Sequence, residues 1–138
     1  MSVEKAFARI LIANRGEIAW RVLRTARLMG IETVAVYAGE DYDTPVVQHA
    51  DFAVEIFHSQ VLAYLDAEQI IKVAVEKKCQ AIHPGYGFLS ENEDFAQACT
   101  AQGIVFIGPR PETLKLFGNK SLAKELALKA GLPCLEGR

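Results

Sequence analysis

Residues 83–92 read HPGYGFLSEN, which sets Tyr86 between Gly85 and Gly87 with Pro84 ahead of them. Glycines on both sides of one aromatic residue let the backbone take positive φ and let another molecule approach closely. Tyr86 would then be displayed at a turn. Ser90 and Glu93 stand at capping-box spacing, which predicts a helix starting near Ser90 whose free N–H groups and positive dipole end face that turn. A ligand loop and a tight turn with Tyr86 and Phe88 packed over a sheet edge both fit these residues. Lys120 in GNKS stands at a predicted helix start, where an ammonium could meet a phosphate; a plain surface lysine is the alternative. Asn14, Arg15 and Glu17 cluster after an apolar run, suited to a ligand or to bonding neighbouring loops.

Other candidates point away from chemistry. His83 and His49 have no partner at metal-ligand spacing and read as structural, and no metal site, P-loop or nucleophile–base pair is expected. Cys79, Cys99 and Cys134 lack a Cys-x-x-Cys and read as small buried or neutral residues. Arg21, Arg24 and Arg27 recur at spacing three as a basic stripe, either a solvated face or a contact with another copy, for which Trp20 is also a suitable type.

The elements that position these residues alternate. RILIAN (9–14) and ETVAVY (32–37) are short, β-branched and largely apolar, as strands covered on both faces are. Between them Ile18, Val22, Ala26 and Met29 recur at helical spacing, and Gly30 supplies a stop. Further strands are expected at 51–56, 80–84 and 104–108, with a helix over 66–79 capped by Asp66 and Gln69. The pattern predicts an α/β fold: a Rossmann-like open parallel sheet of about five strands with flanking helices. Pro111 opens a short helix to Phe117, and Asn119 caps another that ends at Gly131-Leu132-Pro133. We divide the chain into a domain over 1–109 and a helical segment over 110–138 that reads as the start of something further. The turn ANRGEIAWR carries one glycine and no G-x-G-x-x-G, which disfavours a dinucleotide dehydrogenase.

The 138 residues are 51% hydrophobic and 23% charged, as for one soluble domain, with a net charge of −2 that gives no general footprint for nucleic acid or membrane. No apolar run approaches the length of a membrane span and no signal-peptide pattern opens the chain, so a soluble intracellular protein is expected.

Taken together and in order, ILIANRGEIAWRVLRTARLMGIETVAVY, AIHPGYGFLSEN and FIGPRPETLKLFGNK resemble the N-terminal domain of the biotin carboxylase family. The resemblance implies the preATP-grasp fold. It implies an enzyme in which ATP and bicarbonate form carboxyphosphate and the carboxyl group passes to biotin on a carrier domain, a carboxyltransferase component then using it. By matched motif, Tyr86 and Gly87 would line the biotin pocket, Gly85 would shape it, and Lys120 would contact the nucleotide phosphates. The first helix would belong to a homodimer surface, with Arg21 and Arg24 as contacts. A cytoplasmic or mitochondrial-matrix location follows from the same resemblance.

Some residues depart from the family pattern. AYLD (63–66) stands where Ser-Tyr-Leu-Asn is usual, Asn119 replaces the common Asp, and EIFHSQVLAYL replaces a loop richer in Gly, Pro and Ser. The glycine-rich lid, the Mg²⁺ ligands and the residues for bicarbonate would lie outside the 138 residues. The chain by itself is therefore expected to hold no catalytic residues and to be inactive. Another ATP-grasp ligase, or a non-enzymatic dimerisation or binding module, are the alternatives.

Overall fold

The computed structural model describes residues 5–136. In chain order the elements are β1 (Arg9–Ile12), α1 (Gly16–Leu28), β2 (Glu32–Tyr37), α2 (Pro45–His49), β3 (Phe52–Glu55), α3 (Gln60–Ala63), α4 (Ala67–Glu76), β4 (Ala81–His83), α5 (Glu93–Ala101), β5 (Val105–Phe106), α6 (Pro111–Gly118) and α7 (Lys120–Lys129). The five strands pair in parallel as one sheet in the order β3-β2-β1-β4-β5. The expected open parallel sheet is the one observed.

Why the strands read as continuous apolar runs is visible in the packing. Leu11, Val34, Val36 and Ile82 face a core shared with Ile70 and Ala74 of α4 and Phe95 and Cys99 of α5. Ile10, Ile12, Ala35 and Ala81 face the opposite core, built with Ala19, Leu23 and Ala26 of α1 and Val46 of α2. Successive residues of a strand point to opposite faces, and here both faces are covered.

Helix α1 meets the sheet through Ala19, Leu23 and Ala26. The stripe expected from sequence, Ile18, Val22, Ala26 and Met29, shares only Ala26 with that face. Ile18 and Val22 are half-buried and Met29 is exposed. Small residues at 19 and 26 let the helix lie close to the sheet, and this rotates the larger residues onto its flank. The helix ends where Gly30 takes φ +70°, as its position predicted.

Helix α5 starts later than the sequence suggested. Its cap is Asn92, whose side chain accepts the Phe95 N–H at 2.8 Å. Residues 88–91 form a turn in which Ser90 N–H donates to Gly87 O at 2.9 Å and Asn92 N–H to Leu89 O at 3.1 Å. Phe88 at φ +44° is incompatible with a helix reaching back toward Gly87. Of the N–H groups expected to face a ligand, that of Asn92 is thus used inside the turn, and the expected Ser90 capping box is absent.

The other caps follow the sequence. Asp66 accepts the Gln69 N–H at 3.1 Å, and the Gln69 side chain returns a bond to the Asp66 carboxylate at 2.7 Å. These bonds hold Asp66 below the usual carboxylate range. Asn119 accepts from Ser121 and Leu122 N–H at 3.0 and 3.1 Å. A 3-10 turn (Gly39–Asp41), α2 and α3 were not foreseen, since three to five residues are too few to show a period. Burial pushes the Cys79 and Cys99 thiols up to about 11, so both are neutral packing residues. Among the described residues, no helix is long and apolar enough to cross a membrane.

Candidate functional site

The strand order reverses between β1 and β4. Chains leaving the carboxyl ends of such neighbours run to opposite sides, which opens the crevice where open α/β sheets bind ligands. From β1 the chain runs into Asn14 and Arg15; from β4 it runs into Pro84, Gly85, Tyr86 and Gly87.

Asn14 is 2% exposed and joins the two loops. Its Nδ2 donates to Pro84 O at 2.9 Å and to Tyr86 O at 2.8 Å, while its Oδ1 accepts the Arg15 N–H at 2.8 Å. His83 Nδ1 accepts the Gly85 N–H at 3.0 Å. Burial lowers the His83 pKa and so favours the neutral ring, the form able to accept that bond.

The two glycines meet different demands. Gly85 lies at φ +65°, and a Cβ there would fall 2.6 Å from Asn14 Nδ2 and 2.8 Å from Ile18 Cγ2. Gly87 lies at φ +67° with nothing within 4 Å of its would-be Cβ. Phe88 is half-buried and its ring lies 5.3 Å from that of Tyr64, whereas Tyr86 is 74% exposed. Of the two readings of the stretch, packing over the sheet holds for Phe88 and display holds for Tyr86.

Arg15 supports the neighbouring loop. Its Nε and Nη2 donate to Asp41 Oδ2 and Oδ1 at 2.9 and 2.7 Å, and the Tyr64 hydroxyl donates to Asp41 Oδ2 at 2.7 Å. The Tyr64 oxygen in turn accepts the Ala38 N–H at 3.2 Å. Burial first, then the bond to Asp41, raises the Tyr64 pKa; the same carboxylate raises that of Arg15. Asn14 and Arg15 therefore bond neighbouring loops, one of the two roles their cluster suggested. Asp41 and Tyr64 carried no signal in the sequence, because each acts through partners more than twenty residues away.

A cavity of about 710 Å³ has Gly85, Tyr86 and Gly87 on one side and Phe117, Gly118 and Lys120 on the other. Lys120 is the first residue of α7 and is exposed. Glu91, Ser90 and Thr113 also line it, so the lining combines one cation, one carboxylate and the Ser90 and Thr113 hydroxyls. Arg21 and Arg24 are not part of it. Both are exposed on α1, and the Arg21–Glu17 pair, at 3.9 Å and with side chains 71% and 81% exposed, is too solvated to stabilise much. Arg21 instead borders an apolar groove of about 520 Å³, with Ile18 and Val22, on the far side of Tyr86. No group of three His, Cys, Asp or Glu side chains that could hold a metal occurs among the described residues.

The model of one known family, described as the biotin carboxylase N-terminal domain, matches residues 6–114. This chain belongs to the biotin carboxylase family. It is 51% identical over 132 residues to the biotin carboxylase of Nostoc, covering 95% of this chain and 30% of that protein. It is 49% identical over 134 residues to the mitochondrial methylcrotonoyl-CoA carboxylase subunit alpha of Dictyostelium discoideum, covering 96% and 19%. The crystal structure of the biotin carboxylase domain dimer of Hydrogenobacter thermophilus 2-oxoglutarate carboxylase, in complex with MgADP, ADP and bicarbonate, superposes with a TM-score of 0.95 at 44% identity. That match covers 98% of this chain and 30% of the other. The chain thus spans 19 to 30% of the length of these relatives. In this biotin carboxylase N-terminal domain the crevice beside Tyr86 lies open at the sheet's switch point, with Gly85, Tyr86 and Gly87 on its wall.

Proposed function

We propose that this chain serves an ATP-dependent biotin carboxylase, with the Tyr86 loop forming one wall for the bicyclic head of biotin and Lys120 meeting the nucleotide phosphates. One observation carries the reading: the consecutive Gly85, Tyr86 and Gly87 and the sequence-distant Lys120 border a single cavity while Tyr86 is 74% exposed. The residues present fit such ligands. The open space beside Gly87 admits a flat group close to the backbone, and the Tyr86 ring offers it an apolar face. An ammonium at Lys120 opposes the charge that gathers on a phosphoryl group during transfer. Residues for Mg²⁺ and bicarbonate belong, in this proposal, to the part of the relatives that the chain does not span.

The rest of the reading follows the family. Arg21 and Arg24 are proposed as homodimer contacts, which their exposure on α1 permits. A biotin carrier domain and a carboxyltransferase component are the proposed partners, in the cytoplasm or the mitochondrial matrix. A boundary near residues 109–110 is part of the proposal; past it α6 still buries Leu114, whereas α7 buries none of its residues.

The test joins residues 1–138 to the remaining sequence of the Nostoc biotin carboxylase and measures KM for biotin and for ATP. Tyr86→Ala is expected to raise the biotin KM at least tenfold with the ATP KM unchanged. Lys120→Ala is expected to do the reverse. If both variants keep both KM values, the cavity is not the substrate site. The 138-residue chain alone is expected to show no biotin-dependent ATP turnover, and turnover from it would contradict the assignment of the metal ligands to another part.

A further inference from the structure

The loop that displays Tyr86 has bonds of its own, Gly85 N–H to His83 Nδ1 and Ser90 N–H to Gly87 O, but these leave the Pro84 and Tyr86 carbonyls to be held from elsewhere. Gly85 and Gly87 have no side chains, both lie at positive φ, and glycine has the freest backbone of all residues. What holds those carbonyls comes from Asn14, just past the end of β1. The Asn14 carboxamide, 2% exposed, is oriented by the Arg15 N–H on its Oδ1, so that both Nδ2 protons face the loop and meet Pro84 O and Tyr86 O. The ladder bond from Ala13 N–H to His83 O, 2.9 Å, ties the base of the loop to the same strand. The Asp41 carboxylate holds the adjacent Arg15 side chain.

The geometry points to Asn14 as a positioning residue for the biotin site: it grips the carbonyls on either side of Gly85 and so sets the direction of the Tyr86 ring and the Gly87 backbone. This rests on the proposed role of the loop in biotin binding. The chemistry demands a neutral amide. Two carbonyl oxygens need two donor protons from one buried atom; ionised aspartate and leucine have none, and serine has a single O–H. The same contact explains why residue 85 must be glycine, since a Cβ there would collide with Nδ2.

Two measurements separate this inference from the reading beneath it. In the 138-residue chain, Asn14→Leu keeps the shape and removes both donors. The Gly85 and Ser90 amides, each bonded within the loop, are expected to exchange with solvent at least tenfold faster, while the amides of Leu23 and Val34 keep their rates. In the joined enzyme, Asn14→Leu is expected to raise the biotin KM at least fivefold with the ATP KM unchanged. A purely structural role would lower kcat with no such split. If Asn14→Leu also loses protection in the core, Asn14→Ser, which retains an acceptor for the Arg15 N–H, carries the same test. Core loss in both variants, unchanged loop exchange, or an unchanged biotin KM beside a Tyr86→Ala variant that raises it would each overturn the inference. A Tyr86→Ala variant with wild-type biotin KM would instead overturn the biotin reading, leaving the exchange result to judge the loop.

Discussion

Gly85 and Gly87 carry the same positive φ, yet they are expected to respond differently to a methyl group. Gly87→Ala meets open space and costs only the left-handed backbone, about 1–2 kcal/mol. Gly85→Ala adds a collision with Asn14 and Ile18, a further 1–3 kcal/mol or so for overpacking. Urea unfolding of the two variants checks this, and equal losses would contradict it. His83 gives a prediction in pH. Its folded pKa is depressed by burial, so the unfolded chain takes up the proton first, and stability falls as pH drops below about 6.5 toward the lower folded value. His83→Gln is expected to flatten that part of the stability–pH curve; parallel curves for the two proteins would exclude the effect. The glycines' need for unusual backbone was legible because it is local. That Gly85 packs against Asn14 was not, since the bonded loop lies 70 residues further along the chain.

At the scale of elements, caps were legible where side chain and amide are two or three residues apart, as at Asp66 and Asn119. Ser90 misled because Phe88, at positive φ, breaks the backbone just ahead of it, and Asn92 takes the cap. The strands were legible because both faces are buried, so apolar residues run on without alternation. Removing a cap costs about 1 kcal/mol, but where the cost appears depends on packing. Helix α5 buries Phe95, Ala96 and Cys99, so Asn92→Ala is expected to lower global stability by that amount. Helix α7 buries nothing, so Asn119→Ala is expected to speed amide exchange in α7 alone and leave the unfolding midpoint unchanged. A lowered midpoint for Asn119→Ala would show that α7 is coupled to the core.

For the whole molecule, alternating elements foretold a parallel sheet, but not its order. That order places β1 beside β4 and so makes the meeting of Asn14 with the Tyr86 loop possible. It also leaves Arg21 and Arg24 on the outer side of α1, away from the cavity that Lys120 borders. If α1 is a homodimer surface, Arg21→Glu is expected to weaken self-association of the joined enzyme in sedimentation velocity, and an unchanged profile would remove α1 from the contact. The central claim is that the Tyr86 loop and Lys120 face one substrate crevice. Its most direct measurement is an NMR titration of the joined enzyme with ¹⁵N-labelled glycine, adding biotin and then MgATP. The account predicts that biotin moves the Gly87 and Gly85 amide signals, that MgATP moves Gly118 beside Lys120, and that Gly30 and Gly103 stay still. Shifts at Gly30 or Gly103 with none at Gly85, Gly87 or Gly118 would contradict it.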